Sequence, residues 1–267
     1  MYIRSEFRGG KKKEDLFNLS LYHTINAEGK SVLGAKKSDI TYKENTWFIN
    51  EQNNNHNKLV FDNDFNEIRF DSLVLKHKNE IIQFGGVKRD STYKNLSVNF
   101  KDVNIDNLVP TIDSLKLQGA LNGNFSLVQK GKRYYPTSDI AIDSVVVNEV
   151  NFGDLSVKVS GNEDLTKYNM NATLLNDKVK SLEAMGSMNV SADNSDVDLD
   201  IVLNKFNMQA LSPFGGNIIT DIRGQISGNA AIKGDLNSPN IQGRFGLIDS
   251  GLRVVELNTD FKIDDNA

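Results

Sequence analysis

The chain has 267 residues, no cysteine, and a formal net charge of -4 from 31 basic and 35 acidic residues. The missing thiols exclude disulfides and thiolate metal centres. With no positive excess, nucleic acid is not an expected partner. No apolar run approaches the length of a membrane helix, and Met1-Tyr2-Ile3-Arg4-Ser5-Glu6 is not followed by the apolar stretch of a signal peptide.

In chain order, Lys11-Lys12-Lys13 with Glu14-Asp15 reads as a solvated turn. Period-two alternation then dominates. It marks Asp39–Tyr42, Lys58–Phe61, Ile68–Phe70, Ser72–Leu75, Leu96–Phe100 and Leu155–Val159, and is clearest over Val197–Leu203. Such alternation places one strand face in apolar surroundings and the other in water. Asn, Asp, Gly and Lys punctuate the strands at 51–57, 78–80 and 193–195. Strands recur about every ten residues, as in meandering all-β structures. Leu211-Ser212-Pro213-Phe214, after Met208 and Ala210, predicts a short helical turn. No linker divides the chain, which predicts one continuous β domain with a less regular part over 1–110 and a repeat-bearing part over 111–267. Both ends fall in mid-pattern, so the chain is expected to be a segment of a longer protein.

The repeat has two copies. One runs from Leu117-Gln118-Gly119-Ala120-Leu121-Asn122-Gly123-Asn124 through Pro136 to Ile140-Ala141-Ile142-Asp143-Ser144. The other runs from Ile222-Arg223-Gly224-Gln225-Ile226-Ser227-Gly228-Asn229 through Pro239 to Phe245-Gly246-Leu247-Ile248-Asp249-Ser250. A long-period strand repeat predicts stacked units that cover one another's apolar faces, with a proline-marked turn inside each unit.

Candidates for chemistry are few. Asp249-Ser250-Gly251 is similar to the active-site turn of retroviral-type aspartic proteases, which need two such aspartates; the partner would come from a second copy or from Asp143-Ser144-Val145, and a plain strand end explains the match as well. Asp196, Asp198 and Asp200 resemble the start of a calcium loop, but Ile201 and Asn207 stand where glycine and glutamate are needed. His23, His56 and His77 are expected at the surface, Tyr134-Tyr135 in a loop packed on a sheet end, and Trp47 in a strand core. The sequons at Asn95, Asn124 and Asn171 follow from Asn alternating with Ser or Thr. No phosphate loop, nucleophile elbow or dinucleotide fingerprint is present. No enzymatic activity, cofactor or metal is expected.

Asp221 to Asn229, then Ile232-Lys233-Gly234-Asp235-Leu236-Asn237-Ser238-Pro239-Asn240-Ile241-Gln242-Gly243, resembles the repeat of the translocation and assembly module (TamB) and AsmA-like family. Leu211 to Phe214 fits the segment leading into that repeat. Asn45 to Asn50, Phe70 to Leu73 and Ile81 to Gly86 are similar to Bacteroidota versions. The middle copy departs, with Lys130 to Tyr135 in place of the short Gly-Asp-Leu-Asn-Ser loop. The resemblance implies an elongated, curved, half-open, solenoid-like β-sheet (a β-taco) with an apolar inner groove. It implies a periplasmic location, with the full-length protein anchored in the inner membrane of a Gram-negative bacterium. The implied partners are phospholipid acyl chains and, through the full-length protein, an outer-membrane TamA-like barrel. The implied role is phospholipid transport between the membranes, the alternative being outer-membrane protein translocation and assembly by strand-edge interaction.

Alternation nominates the groove-lining side chains: Val145, Val147, Leu155, Val157 and Val159; Met170, Ala172 and Leu174; Leu199, Ile201 and Leu203; Ile226, Ile232, Ile241, Phe245 and Leu247; and Leu252, Val254, Phe261 and Ile263. A closed sandwich or barrel would bury the same positions, and composition alone fits it at least as well; only the repeat and the resemblance favour the open form.

Overall fold

The computed structural model describes residues 1–10, 14–109, 115–162, 166–190, 195–216 and 218–263, without the side chains of 213 and 214. The basic run at 11–13, the boundary at 110, the turn at 193–194 and residue 264 lie outside these. The protein is all-β: its strands join in one antiparallel sheet of 18 strands, and no α-helix occurs among the described residues. Contacts group it into two units, Met1–Asn107 with Leu121–Ser138, and Leu108–Ala120 with Asp139–Ala267.

In the first unit, β1 (Tyr2–Gly9) pairs with β2 (Asp15–Ile25), and Phe7 stacks on Phe17 with ring centroids 4.7 Å apart. β2 pairs with both β3 (Ser31–Ala35) and β4 (Ser38–Tyr42), two halves of one interrupted strand. β5 (Asn45–Ile49) and β6 (Lys58–Phe61) pair back on β4 and β3, and both pair forward with β7 (Glu67–His77). The loop 50–57 is therefore spliced into the middle of a strand. β8 (Glu80–Arg89) and β9 (Tyr93–Asn104) continue the meander.

Two asparagines close the ladder where that loop leaves it. Asn50 and Asn57 are buried and left-handed (φ 50° and 61°), a region asparagine tolerates better than most residues. The Asn50 amide donates to the Ala35 carbonyl (2.7 Å) and the Asn54 carbonyl (3.0 Å). The Asn57 carboxamide oxygen accepts from the Val74 N–H (2.6 Å). Each meets a backbone group that the interrupted strand would otherwise leave unpaired.

Trp47 is buried in β5, as its sequence context predicts, and pairs with Ile40 of β4; Val32 and Val60, paired with each other, are buried too. His77 departs from its expected surface position. It is buried, its Nδ1 lies 2.7 Å from the Thr46 carbonyl, and its ring centroid is 5.5 Å from that of Trp47. A polar flank hid it, because the burial comes from a strand far off in sequence.

The strand repeat is a hairpin repeat. The middle copy is β10 (Leu117–Lys130) and β11 (Arg133–Val147); the late copy is β16 (Ile219–Asp235) and β17 (Asn240–Val254). Between them lie β12 (Val150–Gly161), β13 (Lys167–Asn176), β14 (Val179–Val190) and β15 (Ser195–Asn207); β18 (Thr259–Ile263) follows. The repeated glycine and the repeated Asp-Ser explain each other. Gly119 and Gly224 have φ of 148° and 99°, and the opposing strand kinks at Ser144 (φ 53°) and Asp249 (φ 49°). A Cβ on Gly224 would stand 2.5 Å from Ser250 Cα, and one on Gly119 would stand 2.7 Å from the Ile142 methyl. Only glycine lets these bulged strands approach.

Pro239 marks a turn as predicted, but Pro136 lies within β11; the turn of the middle copy is at Gly131-Lys132. Proline removes a single ladder donor, which a long strand tolerates where that donor is not needed. Tyr134 and Tyr135 also belong to β11 rather than to a loop, with Tyr135 buried. The turn predicted around Leu211 is a 3-10 helix over Met208–Gly215, capped by the Asn207 carboxamide oxygen accepting from the Gln209 N–H (2.9 Å).

The short strand β18 is fastened by an arginine that reaches over β17. Arg223 donates two parallel hydrogen bonds to Asp260, 2.8 and 2.7 Å long, and lies across Gly251, where a Cβ would meet its guanidinium at 2.5 Å.

Replacing Asn50 or Asn57 by alanine is expected to cost about 1–3 kcal/mol each, the penalty of a buried unmet polar group. Asn55→Ala on the exposed loop should stay within about 0.5 kcal/mol; chemical denaturation measures all three. The hydrogen bond from Arg223 holds the Asp260 carboxyl below its ordinary range. A depressed carboxylate stabilises above its unfolded pKa and loses that contribution as pH falls through the folded one. Amide exchange in 259–263 should therefore accelerate, relative to β16, only on acidification below the usual carboxylate range. Asp260→Asn should make that exchange fast at neutral pH.

Candidate functional site

Antiparallel pairing in the second unit keeps the alternation of successive strands in step. One row across the sheet reads Leu155, Leu174, Leu182, Leu203, Gly228, Phe245. The next reads Val157, Ala172, Ala184, Ile201, Ala230, Gly243, and a third reads Val159, Met170, Gly186, Leu199, Ile232, Ile241. Directly paired residues share a face. These rows therefore form one apolar face from β12 to β17, and at a strand spacing of about 4.8 Å each row runs for about 24 Å.

A two-residue turn holds β13 against β14, and another leads from β11 into β12. Asn148-Glu149 and Asp177-Lys178 have positive φ at both positions (49° and 72°, 47° and 67°), the turn geometry that matches strand twist. Between Asn176 and Val179 such a turn fixes β13 against β14.

The face is neither a closed core nor fully wet. Of the nominated residues only Leu174 is buried; Ile241, Phe245 and Phe261 are exposed, and the others are half-buried. Among the described residues of this unit the buried hydrophobic side chains are Phe152, Tyr168, Leu174 and Val197. At one end the 3-10 helix packs on β16, where Ser212 donates to the Ile222 carbonyl (3.5 Å). At another point the Phe152 and Phe206 rings lie 6.0 Å apart, although β13 and β14 separate their strands.

The opposite face is mostly polar, with Leu175, Met185 and Val202 exposed among its polar residues. Thr173 pairs with Glu183, Asn171 with Met185, and Asp198 with both Ser187 and Lys233. The ion pairs Lys158–Asp139 and Lys233–Asp198, both 3.0 Å, lie between exposed side chains. Asp198 holds the Lys233 ammonium above its ordinary range by hydrogen bonding.

The nominated residues of β12, β13, β15, β16 and β17 up to Leu247 are brought together on the one face; Ile226 sits between Phe206 and Leu247. Val145 and Val147 in β11, and Leu252, Val254, Phe261 and Ile263 near β18, lie outside these rows, with Leu252 paired to Phe261. β14 supplies what the sequence reading missed: Leu182, Ala184, Gly186 and Met188. Its small and polar residues dilute the alternation. The signal that could have found it is Asn176-Asp177-Lys178-Val179, a turn sequence following a recognised strand.

The chemical candidates are placed apart from this face. Ser250 is buried and donates to the carbonyl of Ile248 (3.0 Å) on its own strand, while Asp249 is exposed on the bulge. Asp196, Asp198 and Asp200 alternate along the polar face of β15, with Lys233 on the middle one. His23 lies 3.2 Å from the Ser31 hydroxyl, and His56 is exposed on the 50–57 loop. No protein-family model matches the chain, and neither a curated protein nor a solved structure matches it.

Proposed function

We propose that the apolar face of β12–β17 lines an open groove that shields phospholipid acyl chains, in a curved, half-open sheet belonging to a longer periplasm-spanning protein. The observation that carries this reading is the half-buried state of apolar rows that stay in register across successive strands. A sandwich would seal them against a second layer. An acyl chain reaches across about half of a hydrocarbon core of about 30 Å, that is about 15 Å. A row of about 24 Å accommodates it. Each methylene taken out of water contributes about 0.8 kcal/mol, with no catalytic group involved. The 6.0 Å approach of Phe152 and Phe206 supports curvature, because three strand spacings on a flat sheet measure about 14 Å. The repeat and its family resemblance support the location between two membranes and a barrel partner at the outer one.

A second reading, a scaffold for outer-membrane proteins, is favoured by one observation. β18 covers β17 only over Ser250–Val254, so among the described residues Asn240–Arg244 pair on one side alone. Such an edge accepts an incoming strand.

A carboxylate placed on the face should cost about 2.5–3.5 kcal/mol against a lipid chain, on the scale for charges in hydrocarbon. Ile201→Asp is therefore expected to lower bound phospholipid about 100-fold in a vesicle-extraction assay while retaining the strand signature in circular dichroism. Loss of folding in parallel with loss of lipid would show a packed core instead. For the second reading, photo-crosslinkers at Gln242 and Arg244 should capture an unfolded outer-membrane protein where those at Ile201 do not; the reverse pattern contradicts it.

A further inference from the structure

The loop spliced between β5 and β6 builds a cavity that the groove reading does not use. Its empty space of about 440 Å³ includes the solvent at its open mouth, so it is a shallow cleft with room for a small polar ring. Phe48 and Val74, both half-buried, make its apolar floor; Ser72 and Lys76 continue it along β7; Glu51, Gln52, Asn54 and His56 stand on the loop above. The loop is anchored at both ends by the buried Asn50 and Asn57, so its polar groups are held in place over the floor. Among the described residues the side chains of Glu51, Gln52, His56 and Lys76 form no hydrogen bond or ion pair within the protein.

We propose that this cavity binds a single pyranose ring of a saccharide. The floor suits the apolar C–H face of a sugar, which packs on an aromatic ring. The unpaired amide, carboxylate, imidazole and ammonium groups around it supply both donors and acceptors, as hydroxyls require. A phosphate is a poorer match, since Lys76 is the one lysine or arginine lining the cavity and Glu51 lines it too. An extended peptide is a poorer match too, because β5 and β7 pair here and offer no free edge.

The test is a titration of the isotopically labelled full chain with methyl β-glucopyranoside, N-acetylglucosamine and glucuronic acid, followed by amide chemical shifts. At least one is expected to bind with a millimolar dissociation constant and to shift amides confined to 48–57 and 72–76. Phe48→Ala should weaken that sugar at least about tenfold. Because Phe48 is half-buried, the exposed variants Gln52→Ala and Glu51→Gln serve as folding-neutral checks. Each should weaken it by about 2–10-fold, the worth of one hydrogen bond. No shift with any of the three sugars, or shifts that persist unchanged in Gln52→Ala and Glu51→Gln, would overturn the proposal.

Discussion

The second unit depends on register. Alternation along one strand means little until the neighbouring strand agrees with it, since a slip of one residue turns every side chain to the other face. From β12 to β17 the pairing keeps Leu opposite Leu and Ala opposite Ala, and leaves Asp198 opposite Lys233 on the other side. The two-residue turn at Asp177-Lys178 fixes β13 against β14 without glycine, accepting left-handed backbone at both positions. The apolar rows are thus a property of several strands together.

Interruptions of the ladder are equally specific. At Asp249-Ser250 the strand bulges against a glycine, and a left-handed residue of the Asp-Ser pair again faces a glycine at Ser144 and Gly119. In the first unit a whole loop is inserted, and buried asparagines complete the hydrogen bonds it displaces. Both devices let long strands bend or branch without stranding polar backbone groups. They also explain motifs that otherwise invite a chemical reading: Asp-Ser-Gly marks a bulge with a buried serine, and the acidic triplet in β15 is one polar face of a strand.

Much of this was legible in the sequence. Val197–Leu203 and Leu155–Val159 show their strand period without help, and the paired Gly-x-[Leu/Ile]-x-Gly segments announce a repeated unit. β14 was obscure because a strand whose inward residues are Leu, Ala, Gly and Met has weak contrast with its outward ones. The buried His77 and the hairpin turn ahead of Pro136 were hidden for different reasons. The burial of His77 is set by a partner distant in sequence, while the turn at Gly131-Lys132 carries its own glycine signal, masked by the proline that follows. The apolar residues of the face could be named from alternation, but their half-buried state could not, because exposure depends on whether a second layer covers them.

The central claim is that acyl chains lie on that face and on no other. The most direct measurement uses methyl-labelled protein and a phospholipid carrying a nitroxide in its acyl chain. The account predicts line broadening of the Leu155, Ile201, Leu203 and Ile232 methyls, with Val202 and Leu175, exposed on the opposite face, left sharp. Equal broadening of both groups, or none in either, would contradict it.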